Sequence, residues 1–295
     1  MSLPVALIGA GVMGQAIGGR LLATGQALQV FDIDPQKVAA LVNRGATAAD
    51  TAAAAAHACE AVILSLNSAA ICERAVFGEA GVAAGAAPGT VIIDMSSIAP
   101  DATRALATRA ADAGLHWVDS PLSGGAPKAE TGELTLMLGG DAEPVARARR
   151  VLSHVASNIT HMGSAGTGQT TKLINQVLCA LGFAAVAEAT KLAEDAGIDP
   201  VNIPTALSGG RADSALLQEY MPRYARRDYR PTGRIDNMVK DLGGALTLAN
   251  NLGTTAPLTA LVAEMHKHMV TAGYGAQDQA TLMEYYRGFQ REGID

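Results

Sequence analysis

The spacing of apolar and polar positions divides the chain into two kinds of territory. Across the first half, short apolar runs occur at 3–8, 29–32, 61–66, 90–94, 116–119 and 134–138. Runs of this length, bounded by glycine, proline, asparagine or aspartate, read as buried strands. Between them, apolar residues fall at helical spacing over 15–24, 35–43 and 100–113, and the alanine-rich 52–56 reads as helix rather than linker. Strands alternating with helices predict an α/β fold with a parallel, doubly wound sheet. No strand pattern follows the glycine-containing segment 163–168. Segments 201–208, 214–220, 235–252, 257–271 and 277–290 all read as helices, so an all-helical second domain is expected. The expected domains are 1–163 and 164–295, with no internal repeat or low-complexity linker between them.

The stretch 166–197 opens with glycines, closes on Gly197 and contains no proline, so it reads as one long helix. Residues 177–187 are apolar without interruption and are expected to be buried on all sides. That run is too short to cross a bilayer, which takes about 18 apolar residues. Lys172, Asn175 and Gln176 stand at the front of this helix. Offsets of three and four place both amides near the lysine's face. A lysine there is a candidate proton-transfer group, because burial can draw its pKa towards neutrality. The competing reading is a lysine that merely snorkels at a helix end.

The first strand runs straight into Gly9-Ala10-Gly11-Val12-Met13-Gly14, a helical pattern follows, and Asp32 ends the next strand. This is a GxGxxG in the setting of a Rossmann-type dinucleotide site. Gly9 permits the tight turn, Gly11 admits a pyrophosphate to the backbone, and Gly14 lets helix and strand pack closely. The helix N-terminus, at Val12 and Met13, offers its N–H groups to the phosphates. Asp32 would bind the ribose hydroxyls and repel a 2′-phosphate, which points to NAD. Ligands in such sheets lie beyond the carboxyl ends of the strands, which brings Leu66, Asn67, Ser96 and the segment after Asp119 into the crevice. Ser96 could equally cap the helix before Pro100, and Asn67 could form an Asx turn. Ser123-Gly124-Gly125 can turn consecutive N–H groups towards an anion, or be plain turn chemistry.

Composition narrows the partners. The 295 residues are 49% hydrophobic and 17% charged, which is a globular composition. A net charge of −6 argues against nucleic acid or an anionic membrane as the main partner. Aromatics at 4% leave no stacking platform for single strands. Cys59, Cys72 and Cys179 form no CxxC pair and read as reduced thiols in a cytoplasm, and no basic leader precedes the first strand. His266 and His268 do not share a helix face, and His154 and His161 flank a probable strand, so no metal is expected. The low charge of the helical half and its apolar rod predict a homodimer or homotetramer.

Taken together, Gly9 to Gly14, Asp94-Met-Ser-Ser-Ile98, Asp119-Ser-Pro-Leu-Ser-Gly-Gly125, Gly166-Thr-Gly-Gln-Thr-Thr-Lys-Leu-Ile-Asn-Gln176 and Lys240-Asp241 resemble the β-hydroxyacid dehydrogenase family. That family includes 3-hydroxyisobutyrate dehydrogenase and tartronate semialdehyde reductase, and the resemblance spans essentially the whole chain. It implies that Lys172 is the catalytic acid/base. It implies that Ser123, Gly124 and Gly125 hold the carboxylate of a small anionic hydroxy acid, with Asn175 and Gln176 beside it, and that Lys240 lies at the cofactor and substrate site. Gly233-Arg-Ile-Asp236, Pro257-Leu-Thr259 and Tyr285-Tyr286 look most like tartronate semialdehyde reductase. The chain departs from a common family pattern at Gln176, where many members have asparagine, and at Asp32-Ile33-Asp34, where many semialdehyde reductases carry Asn-Arg. The implied reaction is NAD-dependent interconversion of a β-hydroxy acid and its semialdehyde or keto form. 3-Hydroxyisobutyrate, threonate and serine remain alternative substrates. A catalytically idle NAD-binding scaffold is the alternative of a different class, against which Lys172 and Ser123 weigh.

Overall fold

The computed structural model describes residues 4–287. The chain forms two compact units that divide between Lys172 and Leu173. The first is built on nine strands: β1 (Val5–Ile8), β2 (Leu28–Phe31), β3 (Thr47–Ala48), β4 (Ala61–Leu64), β5 (Val91–Asp94), β6 (His116–Asp119), β7 (Leu122–Ser123), β8 (Leu134–Gly139) and β9 (Ala156–Gly163). Their order is β3-β2-β1-β4-β5-β6-β8-β7, with β9 also paired to β8. Helices α1 (Val12–Ala23), α2 (Pro35–Val42), α3 (Ala52–Ala56), α4 (Ala69–Phe77), α5 (Val82–Gly85), α6 (Pro100–Asp112), α7 (Gly125–Thr131) and α8 (Ala142–Leu152) connect them.

The alternating side chains of the strands sort into two cores. Val5, Leu7, Ile63 and Ile93 pack into one, while Ala6, Ile8, Val62 and Ile92 pack into the other. Both faces are covered, and that is why these strands read as continuous apolar runs. The pairings from β3 through β6 are parallel, as expected, but β8 runs antiparallel to β6 and to β7. The segment between β6 and β8 holds only β7 and the short α7, and a short connection suits an antiparallel return rather than a parallel crossover.

The long helix α9 (Thr167–Asp195) leads into the second unit. There follow α10 (Ile203–Leu207), α11 (Ala215–Arg226), α12 (Ile235–Asn251), α13 (Pro257–Met269) and α14 (Glu284–Arg287), with one isolated β-bridge between Arg234 and Asp278. The expected last helix is shorter than its pattern: a 3-10 turn at Gln279–Met283 precedes α14, and 288–290 lie outside the described residues.

The apolar run of α9 is not buried on all sides. Ala180, Phe183, Ala184, Val186 and Ala187 enter the helical core, but Leu178 is 66% exposed, and Ile174 and Leu192 are exposed with it. A sequence that is apolar all round shows how many faces tolerate burial, not how many find a neighbour in one chain. By length and by the mean hydropathy of an 18-residue stretch (1.5) α9 could span a membrane, yet its core face packs against the helices of its own unit.

Candidate active site

The loop after β1 is shaped by contacts that exclude side chains. Gly9 sits at φ +99°, and a Cβ there would collide with the Ser65 carbonyl. A Cβ on Gly14 would strike the Gly9 carbonyl, so α1 can approach β1 only with glycine at that position. Nothing lies within 4 Å of the space a Cβ on Gly11 would fill, which leaves that side open for a ligand's backbone approach. Gly11 caps α1 without a side chain and no acidic residue occupies the first turn, so the N–H groups near Val12 and Met13 face no competing carboxylate. Val12 is exposed and Met13 half-buried. These features fit a pyrophosphate at a helix N-terminus.

Asp32 closes the loop from β2. Its Oδ2 accepts from the Ala10 amide at 2.7 Å and its Oδ1 from the Asp34 amide at 2.9 Å. Ile33 is exposed, and Asp34 caps α2 by accepting from the Gln36 amide. No cation stands in the two positions after Asp32 where a 2′-phosphate would need one.

Leu66 and Ser96 are joined at the ends of β4 and β5, where the Leu66 amide donates to the Ser96 hydroxyl at 3.1 Å. Ser96 is buried, and α6 is capped by Ala99 rather than by this serine. Asn67 is exposed beside them. Cys72 approaches the Ser96 hydroxyl at 3.4 Å, and burial pushes its thiol up to about 12, so it is an inert packing group.

At the adjacent strand ends, Asp94 and Asp119 stand in register. Burial pushes Asp94 up to about 7, against the pull of hydrogen bonds from Ser96. Burial also raises Asp119, opposed by backbone N–H donors from the start of α9. The Asp119 carboxylate accepts from the amides of Gly166 (2.8 Å) and Gln169 (2.9 Å). The Gln169 side chain donates to the Ser96 carbonyl at 2.7 Å and accepts from the Ile98 amide at 3.4 Å. Lys172 follows in α9, half-buried. Ser123 is half-buried on β7, and Gly124 and Gly125 take positive φ at the entry to α7, a backbone that can present neighbouring amides together.

The remaining expected residues lie in the helical unit. The Asn175 amide donates to Gln176 Oε1 at 2.9 Å, and Gln176 Nε2 donates to Asp241 Oδ2 at 2.6 Å. Asp241 also meets Lys240 at 3.5 Å. Gln176 therefore has both ends of its amide engaged, and Asp241 connects it to Lys240.

Three residues that organise these groups stand in the quoted motifs but receive no role from the sequence: Asp119, Gln169 and Asp241. The available signals were an aspartate ending a strand ahead of Ser-Pro, and polar residues interrupting apolar patterns next to Lys172 and Lys240. His266 is buried, with ring nitrogens near the Val262 carbonyl and Gln279, and burial lowers its pKa. His268 stacks edge-on against Tyr285. Among the described residues no group of three or more His, Cys, Asp or Glu is placed to hold a metal ion.

Comparison with known proteins bears on this geometry. A family model described as the NAD binding domain of 6-phosphogluconate dehydrogenase matches residues 4–163. A second, the NAD-binding domain of NADP-dependent 3-hydroxyisobutyrate dehydrogenase, matches residues 166–286. L-threonate dehydrogenase of Cupriavidus necator is 32% identical over 99% of this chain and 99% of that protein. The 2-hydroxy-3-oxopropionate reductase of Escherichia coli is 33% identical over 96% of each. Among solved structures, the Mycobacterium tuberculosis 3-hydroxyisobutyrate dehydrogenase with L-serine superposes with a TM-score of 0.89 at 29% identity, covering 98% of this chain and 100% of that one.

Proposed function

The chain belongs to the β-hydroxyacid dehydrogenase family, and from that premise we propose that it interconverts tartronate semialdehyde and glycerate with NAD. It is a nicotinamide-dependent hydroxyacid oxidoreductase. The observation that supports the acid/base chemistry is the placement of Lys172 in the unit that also holds the Asp32-bound glycine loop and Ser123 to Gly125. When bound, the nicotinamide ring accepts or supplies the hydride. In the oxidative direction Lys172 takes the hydroxyl proton, and in the reductive direction it returns a proton to the forming alkoxide. Ser123 and the amides of Gly124 and Gly125 hold the substrate carboxylate, keeping the hydroxyl-bearing carbon in one orientation. Asn175 orients Lys172 or a substrate hydroxyl and Lys240 lies at the cofactor and substrate site, as the family resemblance implies, while both ends of the Gln176 amide are taken up by Asn175 and Asp241. Asp32 selects NAD by meeting the ribose hydroxyls.

The choice of tartronate semialdehyde rests on Gly233-Arg-Ile-Asp236, Pro257-Leu-Thr259 and Tyr285-Tyr286, and on the Escherichia coli reductase among the relatives. The Cupriavidus necator relative favours threonate as the second reading. A substrate panel followed by NADH absorbance in both directions separates them. Highest kcat/KM on tartronate semialdehyde or glycerate is the expected result. Highest kcat/KM on threonate, 3-hydroxyisobutyrate or serine would replace the substrate, and no turnover of any of them would favour the idle NAD-binding scaffold. We further propose that the protein works as a homodimer or homotetramer in a reducing cytoplasm. The exposed Ile174, Leu178 and Leu192 on α9 support the first, and the buried, disulfide-free thiols of Cys59 and Cys72 support the second.

A further inference from the structure

We propose that Asp119 and Gln169 are positioning residues for Lys172, together clamping the first turns of α9 to the carboxyl ends of β5 and β6. The inference rests on the reading of Lys172 as the acid/base.

A helix leaves its first four N–H groups without intrahelical acceptors. At the start of α9 two of these donors, Gly166 and Gln169, are taken up by one carboxylate, that of Asp119 at the end of β6. The clamp is two-sided. Gln169, 1% exposed, reaches back from the helix to the Ser96 carbonyl and the Ile98 amide, just past the end of β5. One side chain points from sheet to helix and the other from helix to sheet. Both act at the strand edge where ligands of doubly wound sheets bind.

The surroundings are cut to fit this carboxylate. A Cβ on Gly139 would lie 2.5 Å from Asp119 Oδ1, and one on Gly168 would lie 2.7 Å from Asp119 Oδ2. Gly166 holds φ +88°, which turns its amide into the clamp at little steric cost. The glycines of the Gly166-Thr-Gly168 entry thus serve the turn at Gly166 and leave room at Gly168 for Asp119 and the Met137 carbonyl.

Lys172 lies three residues after Gln169, on the adjoining turn of the same helix face. The buried helical core takes up α9 from Val177 and Ala180 onward. The turn just before Lys172 is held from the sheet side through Gly166 and Gln169, and Lys172 is the last residue of the sheet-containing unit. Acid–base catalysis needs the donor within hydrogen-bond reach of the reacting oxygen. A small displacement of the front of α9 would move the amine out of that range while leaving the helix and the glycine loop formed.

The test is Asp119→Asn, which keeps the shape but cannot accept both amides, alongside Gln169→Met, which removes the polar atoms at similar length. Each is combined with Lys172→Ala. We expect kcat to fall on the order of 10- to 100-fold in each single variant, the loss typical of a misplaced catalytic group. NADH affinity should fall much less than kcat, because Asp32 and the loop at Gly9 are separate from the clamp, which touches the cofactor crevice only through the Ser96 carbonyl. Amide exchange at Gly166 and Gln169 should accelerate. In the Lys172→Ala background neither substitution should cost more than about twofold further, because the group being positioned is gone. A merely structural clamp would lower the unfolding midpoint without that non-additivity. Faster amide exchange with unchanged kcat, or equal losses with and without Lys172, would overturn the inference. Should Asp119→Asn fail to fold, Gln169→Met decides alone. Near-normal turnover by Lys172→Ala would overturn the functional reading and the inference together. A crippled Lys172→Ala beside an undamaged Asp119→Asn overturns the inference only.

Discussion

The Ala10 amide donates to the Asp32 carboxylate at 2.7 Å, so the residue that ends β2 is bonded directly into the glycine loop that follows β1. Asp32 thereby carries two tasks: it shapes the loop, and it presents negative charge where the adenosine ribose of a dinucleotide lies. Asp32→Ser should raise the KM for NAD by about 10- to 100-fold, the scale of a lost hydrogen bond to a charged group. It should lower the KM for NADP by removing repulsion. Steady-state kinetics with both cofactors checks this, and a wild-type enzyme equally efficient with NADP would contradict it.

Asp94 sets a pH dependence of stability. Its carboxyl is fully buried, burial pushes it up to about 7, and among the described residues its Oδ2 has no hydrogen-bond partner. In the unfolded chain an aspartate ionises near 3.9, so between there and about 7 the native state holds a proton that the unfolded state has lost. The contribution of Asp94 is fully present below the lower value and is lost as pH rises through the upper one. Asp94→Asn should therefore gain stability relative to wild type as pH rises from about 4 to about 8, by at most about 4 kcal/mol at roughly 1.4 kcal/mol per pKa unit. Urea unfolding at the two pH values measures the gain, and a difference that does not change with pH would contradict the assignment.

How much of this was legible in the residues depends on how local the cause is. The glycine loop could be read because its sterics involve neighbours in the chain, and the strands because burial on both faces imposes continuous apolar runs. β3 and β7, two residues each, carry no such signal. The antiparallel turn of β8 depends on how β6 is reached again, which spacing alone does not encode. Ser96 reads as a cap or a cofactor contact; the cap is Ala99, and the Ser96 hydroxyl accepts from Leu66 at the neighbouring strand end, a pairing distant in sequence. The sequence assigns no role to Asp119 and Asp241 because their partners, Gly166 and Gln169 for one and Gln176 for the other, are distant in sequence.

The helical unit has its own buried ion pair. Asp278 is 1% exposed and accepts from Arg223 at 2.9 Å, from the amides of Gly233 and Ala280 at 2.9 Å, and from Thr232. Asp278→Ala would leave Arg223 buried without its carboxylate and should destabilise the protein by about 3–5 kcal/mol. Chemical denaturation monitored on the helical unit checks this, and a loss under about 1 kcal/mol would show that the pair is dispensable.

The exposed stripe of α9 predicts self-association. Ile174, Leu178 and Leu192 are 55%, 66% and 70% exposed, at spacings that keep them near one side of the helix. Light scattering should return a mass of two or four 30.1 kDa chains at micromolar concentration, and Leu178→Glu should lower it. A monomer across that range would contradict the prediction.

Lys172 carries the central claim, that this chain moves a proton with a lysine at the front of α9 while a nicotinamide moves the hydride. The decisive measurement is kcat for Lys172→Ala in both directions, with NADH binding followed in the same preparation. The account predicts a loss of about 10²–10⁴-fold in kcat, the usual scale of general acid–base help. NADH affinity should be retained, because it depends on Gly9, Gly11, Gly14 and Asp32. Lys172→Arg should restore little, since arginine keeps its proton and cannot serve as the base. Near-normal kcat for Lys172→Ala with the best substrate would contradict the account and make the lysine a structural residue.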